Sequence, residues 1–389
     1  MLNLFKIAIY ILCYTLVIAQ SARIQQDRHQ PRGVFDTPTE FTGWKTDFKS
    51  LENLNEIRIG FFMSDNPNDY ASQSAYNGAE LAISEINIAG GYSGLPLRLV
   101  RRWEPDPWKA GPRELINLVY QDSVVAIIGS TDGNSTHIAE QIVTKAWIPL
   151  LSPISADPTL NYIRIPWIFR LPPDYASQVK IMGEVCLEKL VLEKIGIITS
   201  TGHDGRIFAQ ELYNFFAARK MVPLFHFKMP SKNIYPKEIF QRSFSFNVQA
   251  LIIHLDAVDI LKLLYEWPED AKNIVIFLPW IPGLRQKDLS KIDNCVLYGV
   301  QPFSEKENSL YQSFFKKYAK RFGEDPSPTA AYAYDAISLL KNALEYGSAN
   351  RLHIRDALAD IKLIKGVTGD ISWDNGGGNT SLPVLRRLK

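Results

Sequence analysis

The stretch "VVAIIGSTDGNSTHIAEQIVTKAWIPLLS", residues 124–152, decides the fold. Its first six residues are continuously apolar, as in a strand buried on both faces. Gly129 and Gly133 then let the backbone turn tightly and be approached closely. "THIAEQIVTKA" carries a helical pattern, and "IPLLS" is a second strand run. Strand, helix and strand in about thirty residues make a parallel βαβ unit.

The same alternation extends both ways. Upstream, "IRIGFFM" is a strand, and "SAYNGAELAISEINIAGG" puts Ala75, Ala79, Ala82, Ile83 and Ile86 on one helical face before Gly90 and Gly91 stop it. "LRLVR" is a strand and "RELINLVYQ" a helix. Downstream, "KIGIITS", "MVPLFHF", "ALIIHL" and "NIVIFLP" are strands with helical text between them. About ten strands exceed what one twisted sheet carries easily, so two doubly wound lobes are expected. The proline-rich "IRIPWIFRLPPD" and the run "YGVQPFSE" mark the candidate boundaries.

The composition is that of an ordinary globular protein: 389 residues, 46% hydrophobic and 22% charged. A net charge of +2 gives no bulk drive toward nucleic acid, and none is expected as a partner. Lys6 followed by the apolar run of residues 7–19 and the small residues Ala19, Ser21 and Ala22 reads as a signal peptide over 1–22. A polar leader follows over 23–55, and the location expected is periplasmic or secreted. Cys186 and Cys295 remain beyond the signal and read as buried thiols. No metal-ligand spacing, hydrolase elbow, phosphate loop or dinucleotide fingerprint is present. The six histidines form no paired cluster. Neither an enzyme nor a bound cofactor or metal is expected.

In open parallel sheets, ligands sit beyond the carboxyl ends of the strands. Residues 127–137, "IIGSTDGNSTH", begin at such an end, and so do residues 150–160, "LLSPISADPTL". Asn134, Ser135 and Thr136 suit the start of a helix, whose N–H groups and dipole make a site for a carboxylate.

With "NGAELAISEINIAGGYSGLPLRLV", "VVAIIGSTDGNST", "IPLLSPISADPTL" followed by "FRLPPDYASQ", "PSPTAAYAYDAISLLKNAL" and "GVTGDISWDNGG" in this order, the chain resembles the type I periplasmic binding proteins. In particular it resembles the leucine/isoleucine/valine-binding group that feeds ABC importers. The resemblance covers residue 57 to the C-terminus. It implies an α/β fold of two Rossmann-like lobes joined by three crossover strands, with a cleft that closes on a small ligand. Residues 56–170 and 300–372 would form the first lobe, and residues 171–299 and 373–389 the second. A monomer serving a membrane ABC permease is expected, and a ligand sensor of the same fold stays open as an alternative.

The contact positions depart from that group. Gly133, with Asn134 and Ser135 beside it, stands where the amino-acid binders present a serine to the ligand carboxylate. Ala156, next to Ser155, replaces a threonine; Asp204 and Asp256 replace tyrosines; Trp280 replaces the acid that pairs with the ligand ammonium. Small donors on the first lobe suit an anionic or polar end. Asp204 and Asp256 suit a cation or polyol, and Trp280 offers an aromatic face. Trp103, just past a first-lobe strand, could face the ligand from the other side. Competing readings are packing for both tryptophans and helix capping for both aspartates. Tyr334 reads as core, whereas Tyr332 could reach the cleft.

Overall fold

The structure is a computed structural model that describes residues 54–389 except 105–106, 233, 293–294 and 307. The expected signal peptide and all but the last two residues of the expected leader lie outside the described residues. In chain order the first half contains β1 (Ile57–Phe62), α1 (Tyr70–Ile88), β2 (Leu97–Arg101), α2 (Pro107–Ile116), β3 (Ala126–Gly129), α3 (Gly133–Ala146), β4 (Leu150–Ser152), α4 (Thr159–Tyr162) and β5 (Ile168–Arg170). The chain continues with α5 (Tyr175–Glu184), β6 (Ile195–Ser200), α6 (His203–Ala217), β7 (Phe225–Met229), α7 (Pro236–Ser245), β8 (Ala250–His254), α8 (Ala257–Tyr265), β9 (Val275–Leu278), α9 (Gln286–Leu289) and β10 (Val296–Gln301). It ends with α10 (Ser309–Phe322), α11 (Pro328–Gly347), α12 (Arg351–Ala359), the hairpin β11 (Ile364–Gly366) and β12 (Gly369–Ile371), and β13 (Val384–Arg387).

Among the described residues, the strands form two large sheets besides the β11–β12 hairpin. One has the order β2-β1-β3-β4-β5, and the other β13-β10-β9-β8-β6-β7. All pairs are parallel except β10 with β13 and the β11–β12 hairpin. Read from β7, the second sheet repeats the first: the second strand at one edge, then the first, third, fourth and fifth. The sequence shows no short repeat, so the equivalence lies in topology alone. Such sheets must be covered on both faces, and alternate residues divide accordingly. Ile127 and Leu150 face a cluster with Leu118, Ile138 and Val143, while Ile128 and Leu151 face α1 and α11. In the second sheet Leu251 and Ile253 pack with Ile239 and Leu263, while Ile252 faces the layer holding Phe208 and Leu212. Each such side chain fully removed from water contributes about 1.5–3 kcal/mol.

The chain passes between the two halves three times: after β5, after β10, and between β12 and β13. The first and third passages are tied together. Arg170 N–H donates to the Gly377 carbonyl at 2.9 Å, Asn379 N–H donates to the Arg170 carbonyl at 2.9 Å, and Asn379 Nδ2 donates to the Leu171 carbonyl at 2.9 Å. The Arg170 guanidinium is buried there. It donates to Asn161, to the Pro172 carbonyl and to Asp174, so its charge is paired and its donors are used.

The crossing of α1 and α11 explains the small residues of the α1 pattern. Asp69 caps α1 by accepting from Ser72 N–H, and Ser327 caps α11 by accepting from Ala330 N–H, with Pro328 in its first turn. A Cβ added to Gly78 would stand 2.1 Å from the Ala330 carbonyl oxygen, so only glycine lets the backbones meet. Ser327 Oγ donates to Ser74 Oγ at 2.7 Å, and Thr329 Oγ1 donates to the Ala71 carbonyl at 2.9 Å, which satisfies the buried hydroxyls at the same crossing. Gly90 and Gly91 end α1 with φ of 107° and 69°.

Other sequence expectations need correction. β5 lies inside the proline-rich step that was expected only as a boundary, because Ile168, Phe169 and Arg170 are all buried beside β4. β7 starts four residues after the start of "MVPLFHF". The hairpin β11–β12 carries no strand signal; Asp335 on α11 holds its turn by accepting from Val367 N–H and Thr368 N–H, each at 2.8 Å. Cys186 and Cys295 are both buried, and no disulfide joins them.

The α1–α11 contact is testable. Alanine favours a helix over glycine by up to about 1 kcal/mol, but forced repacking costs about 1–3 kcal/mol. Gly78→Ala is therefore expected to lower the urea unfolding midpoint. An unchanged or higher midpoint would show that the two helices have slack at this crossing.

Candidate functional site

The carboxyl ends of β3 and β4 on one lobe face those of β6, β8 and β9 on the other. Between them lies a cavity of about 560 Å³. Its walls include Thr131, Asp132, Asn134, Ser155 and Ala156 from the first lobe, and Tyr175, His203, Asp204, Arg206, His254, Asp256 and Trp280 from the second.

The first wall is built around the start of α3. Asp132 is the cap: its Oδ1 accepts from Ser135 N–H at 2.7 Å and from Ser135 Oγ at 2.8 Å. That arrangement corrects the expectation for Ser135. Its side chain is fully buried and turned into the cap, so it does not line the cavity. Asn134 stays half-buried on the cavity wall. Ser155 and Ala156 lie beyond β4, also on the wall, with Ser155 Oγ accepting from Asp157 N–H at 3.3 Å.

Gly133 supplies the backbone N–H at the helix start. Asp204, from the first turn of α6 on the opposite lobe, already occupies it: the two carboxylate oxygens accept from Gly133 N–H at 3.2 and 3.3 Å. A Cβ on residue 133 would stand 2.5 Å from Asp204 Oδ1 and 2.8 Å from Asp157 Oδ2. The glycine here and the aspartate across the cleft are therefore one feature. The anion site expected from the sequence is filled by a side chain of the protein itself. Burial, with the nearby carboxylates of Asp132 and Asp157, pushes the Asp204 pKa up to about 7, against the opposing pull of the Gly133 N–H. Asp204 makes no cap bond to its own helix.

Asp256 is exposed on the cavity wall at the end of β8. It stands at the cap position of α8 but makes no side-chain bond to that helix; Ser231 Oγ donates to it instead. Trp280 follows β9 and is 6% exposed. Its backbone N–H donates to Gln178 Oε1 at 2.9 Å, and its ring packs 5.9 Å from that of Tyr332 on α11, across the lobes. Tyr332 is fully buried, whereas Tyr334 is half-buried and donates to Glu85, the reverse of the expectation for this pair. Trp103 is also corrected. It lies away from the cavity, its ring 5.1 Å from that of Phe62 in the cluster covering the other face of the first sheet.

Sequence reasoning missed Tyr175, His254 and Arg206. His254 ends β8, so the strand-end rule could have found it. Its ring stacks on Phe208 at 4.9 Å, and its Nε2 lies 3.1 Å from the Tyr175 hydroxyl. Burial holds its pKa down at about 4, so it is neutral at pH 7. The expectation of no paired histidines also fails. His137 on α3 and His203 on α6 meet across the lobes, rings 5.4 Å apart, on either side of Asp157. Asp157 Oδ2 lies 2.6 Å from His203 Nε2 and 3.2 Å from His137 Nε2, while His137 Nδ1 lies 2.6 Å from Glu140 Oε2. Burial pulls the His137 pKa down, but the bonds to Asp157 and Glu140 outweigh it and lift it to about 10. Burial alone would raise Asp157; the bonds to His137, His203 and Thr159 hold it well below the usual carboxylate range.

The sequence model of the family described as periplasmic binding protein matches residues 56–386. An amino acid binding protein of Pseudomonas aeruginosa is 27% identical over 137 residues, 35% of this chain and 36% of that protein. The Leu/Ile/Val-binding protein of Escherichia coli is 28% identical over 168 residues, 42% of this chain and 44% of that protein. These matches thus span less than half the length of the curated relatives. Among solved structures, the branched-chain amino acid transporter substrate binding protein LivJ from Streptococcus pneumoniae, in complex with isoleucine, superposes with a TM-score of 0.77 at 23% identity, over 85% of this chain and 96% of that chain. It shares the two-lobed fold. Among the described residues, no helix is long and apolar enough to cross a membrane. The family is one of binding proteins rather than enzymes, and with its model matched over most of the sequence, the chain belongs to the periplasmic binding protein family.

Proposed function

We propose that the protein captures a small solute with a cationic end and an apolar or aromatic body in the inter-lobe cavity, closes on it by hinge bending, and delivers it to an ABC permease from the periplasm. The observation that carries this reading is the charge of the walls. Among the described residues lining the cavity, three acidic side chains (Asp132, Asp204 and Asp256), of which Asp204, with its pKa raised to about 7, is only partly ionised, stand against one guanidinium, Arg206, with the imidazoles of His203 and His254 beside them. Arg206 Nη1 already donates to the Thr201 carbonyl at 2.7 Å, and His254 is neutral. Tyr175 and Trp280 supply aromatic surface for the body of the ligand.

The curated relatives are named for amino acids. Here a free α-carboxylate would have to displace Asp204 from Gly133, and the acid that would pair with the ammonium of a leucine-like ligand is replaced by Trp280. Both changes weigh against a branched-chain amino acid. Closure is stabilised only by contacts that the open form lacks, so the ligand has to touch both walls.

Thermal unfolding with a panel of ligands tests the class. Arginine, putrescine and choline represent the cations, and leucine, isoleucine, valine and benzoate the competitors. A ligand at a hundred times its Kd adds about 2.7 kcal/mol of stability. The largest shift is expected among the cations; a large shift confined to the branched-chain amino acids or benzoate would refute the reading.

Two substitutions probe the walls with the best cation of the panel. Asp256 is exposed, so Asp256→Asn is expected to leave the unfolding temperature of the free protein unchanged and to weaken binding by about 1.5–3 kcal/mol. Trp280→Ala is expected to weaken binding by roughly 1–3 kcal/mol and to reduce ligand-induced compaction in solution scattering. Parent-like affinity in both variants would place the ligand elsewhere.

A further inference from the structure

We propose that His137, Asp157 and His203 form a site for one divalent transition-metal ion of the zinc class, shared by the two lobes and completed as they close. Three potential ligand atoms converge: the Nε2 atoms of both imidazoles and Oδ2 of Asp157, all within 4.8 Å of one another. Ligands about 2.0–2.2 Å from a tetrahedral zinc stand about 3.3 Å apart. The 3.2 Å between His137 Nε2 and Asp157 Oδ2 already fits, and the 2.6 Å to His203 Nε2 needs to lengthen by less than about 1 Å.

The supporting groups aim these atoms. Asp157 Oδ1 is committed to Thr159, accepting from its N–H at 2.8 Å and its hydroxyl at 2.7 Å, which leaves Oδ2 for the imidazoles. Glu140 Oε2 takes Nδ1 of His137 at 2.6 Å and fixes the ring with Nε2 turned to Asp157. A carboxylate behind a ligating imidazole is the usual outer partner at zinc. Thr159 Oγ1, 2.8 Å from His137 Nε2, is the hydroxyl an incoming ion would displace. Asp157 is fully buried, while the side chains of His137 and His203 are 26% and 22% exposed, so the ion has access from solvent. Two nitrogens and one oxygen favour zinc-class metals over magnesium or calcium, which take oxygen-rich sets.

The position sets the ion beside the solute cavity, which His203 also lines, and gives it a task of its own. His137 on α3 and Asp157 after β4 belong to the first lobe, whereas His203 opens α6 on the opposite lobe. An ion bound to all three holds the lobes together and is released as they part.

The test uses the purified chain with its affinity tag removed and metal stripped by a chelator, titrated with Zn²⁺ alone in the absence of organic solute. The solute reading can then fail without touching this one. The expected result is one ion per chain, with Co²⁺ giving the intense visible absorption of a four-coordinate site. His137→Ala and His203→Ala should each abolish that spectrum while leaving the far-ultraviolet circular dichroism unchanged. Glu140→Gln should weaken Zn²⁺ by roughly 10–100-fold, as loss of an outer carboxylate does. Zn²⁺ should compact the parent in solution scattering and leave His203→Ala unaffected. Zn²⁺ binding that survives both histidine substitutions, Co²⁺ held only in octahedral form, or Mg²⁺ bound as tightly as Zn²⁺ would overturn the proposal.

Discussion

A parallel strand has to be returned to by a crossover, and crossovers cover both faces of the sheet. The chain therefore leaves every parallel strand of such a sheet at the same edge. The structure applies this constraint twice, with the same strand order in each half. Two carboxyl edges are brought face to face, and everything described at the cleft follows from that placement. Thr131, Asp132 and Asn134 follow β3, and Ser155 follows β4; Asp204 follows β6, Asp256 follows β8, and Trp280 follows β9. The knot around Arg170 keeps the edges opposed by fastening two of the three passages to each other.

Within that frame the chemistry of the cleft turns on one exchange. A helix start with free N–H groups attracts an anion by about 0.3–1 kcal/mol, up to about 2 where partly buried. Here the anion is Asp204, and the room for it exists because residue 133 has no side chain. The lobes also touch elsewhere: His203 on Asp157, and the Tyr162 hydroxyl on Glu211 at 3.1 Å. The lobes are thus held together in part by the protein's own polar contacts.

The alternation of strands and helices was legible because each element repeats one pattern over many residues, as β3, α3 and β4 do. Short elements were not. β5 has three residues amid prolines, and β11 and β12 depend on Asp335 from a distant helix. At the cleft, the strand-end rule led to the right loops but not to the direction of each side chain. Asp132, Asn134 and Ser135 are all plausible at a helix start, and only the backbone decides that Asp132 caps, Ser135 turns inward and Asn134 faces the cavity. Trp103 sits near the end of a strand like the others, but β2 is the edge strand and the ring packs on Phe62 in the cluster covering the other face of the sheet. The meeting of His137 and His203 was invisible for a simpler reason: it joins two lobes whose separation in space no local pattern reports.

The crossing at Gly78 and Ala330 bears on how the chain acquires its shape. Ser74 and Ser327, bonded at the same point, are 253 residues apart. All of β6 to β10 lies between them in the chain. As the polypeptide emerges from the ribosome, the half that begins first cannot be finished first: α1 waits for α11, and its row of alanines stays bare until then. The intervening half, lacking only its edge strand β13, has sheet neighbours for its other strands within one continuous segment. Bringing the distant ends together costs loop-closure entropy before any contact repays it, which makes such pairings slow. The half encoded in the middle of the gene is thus the natural template on which the two outer segments assemble.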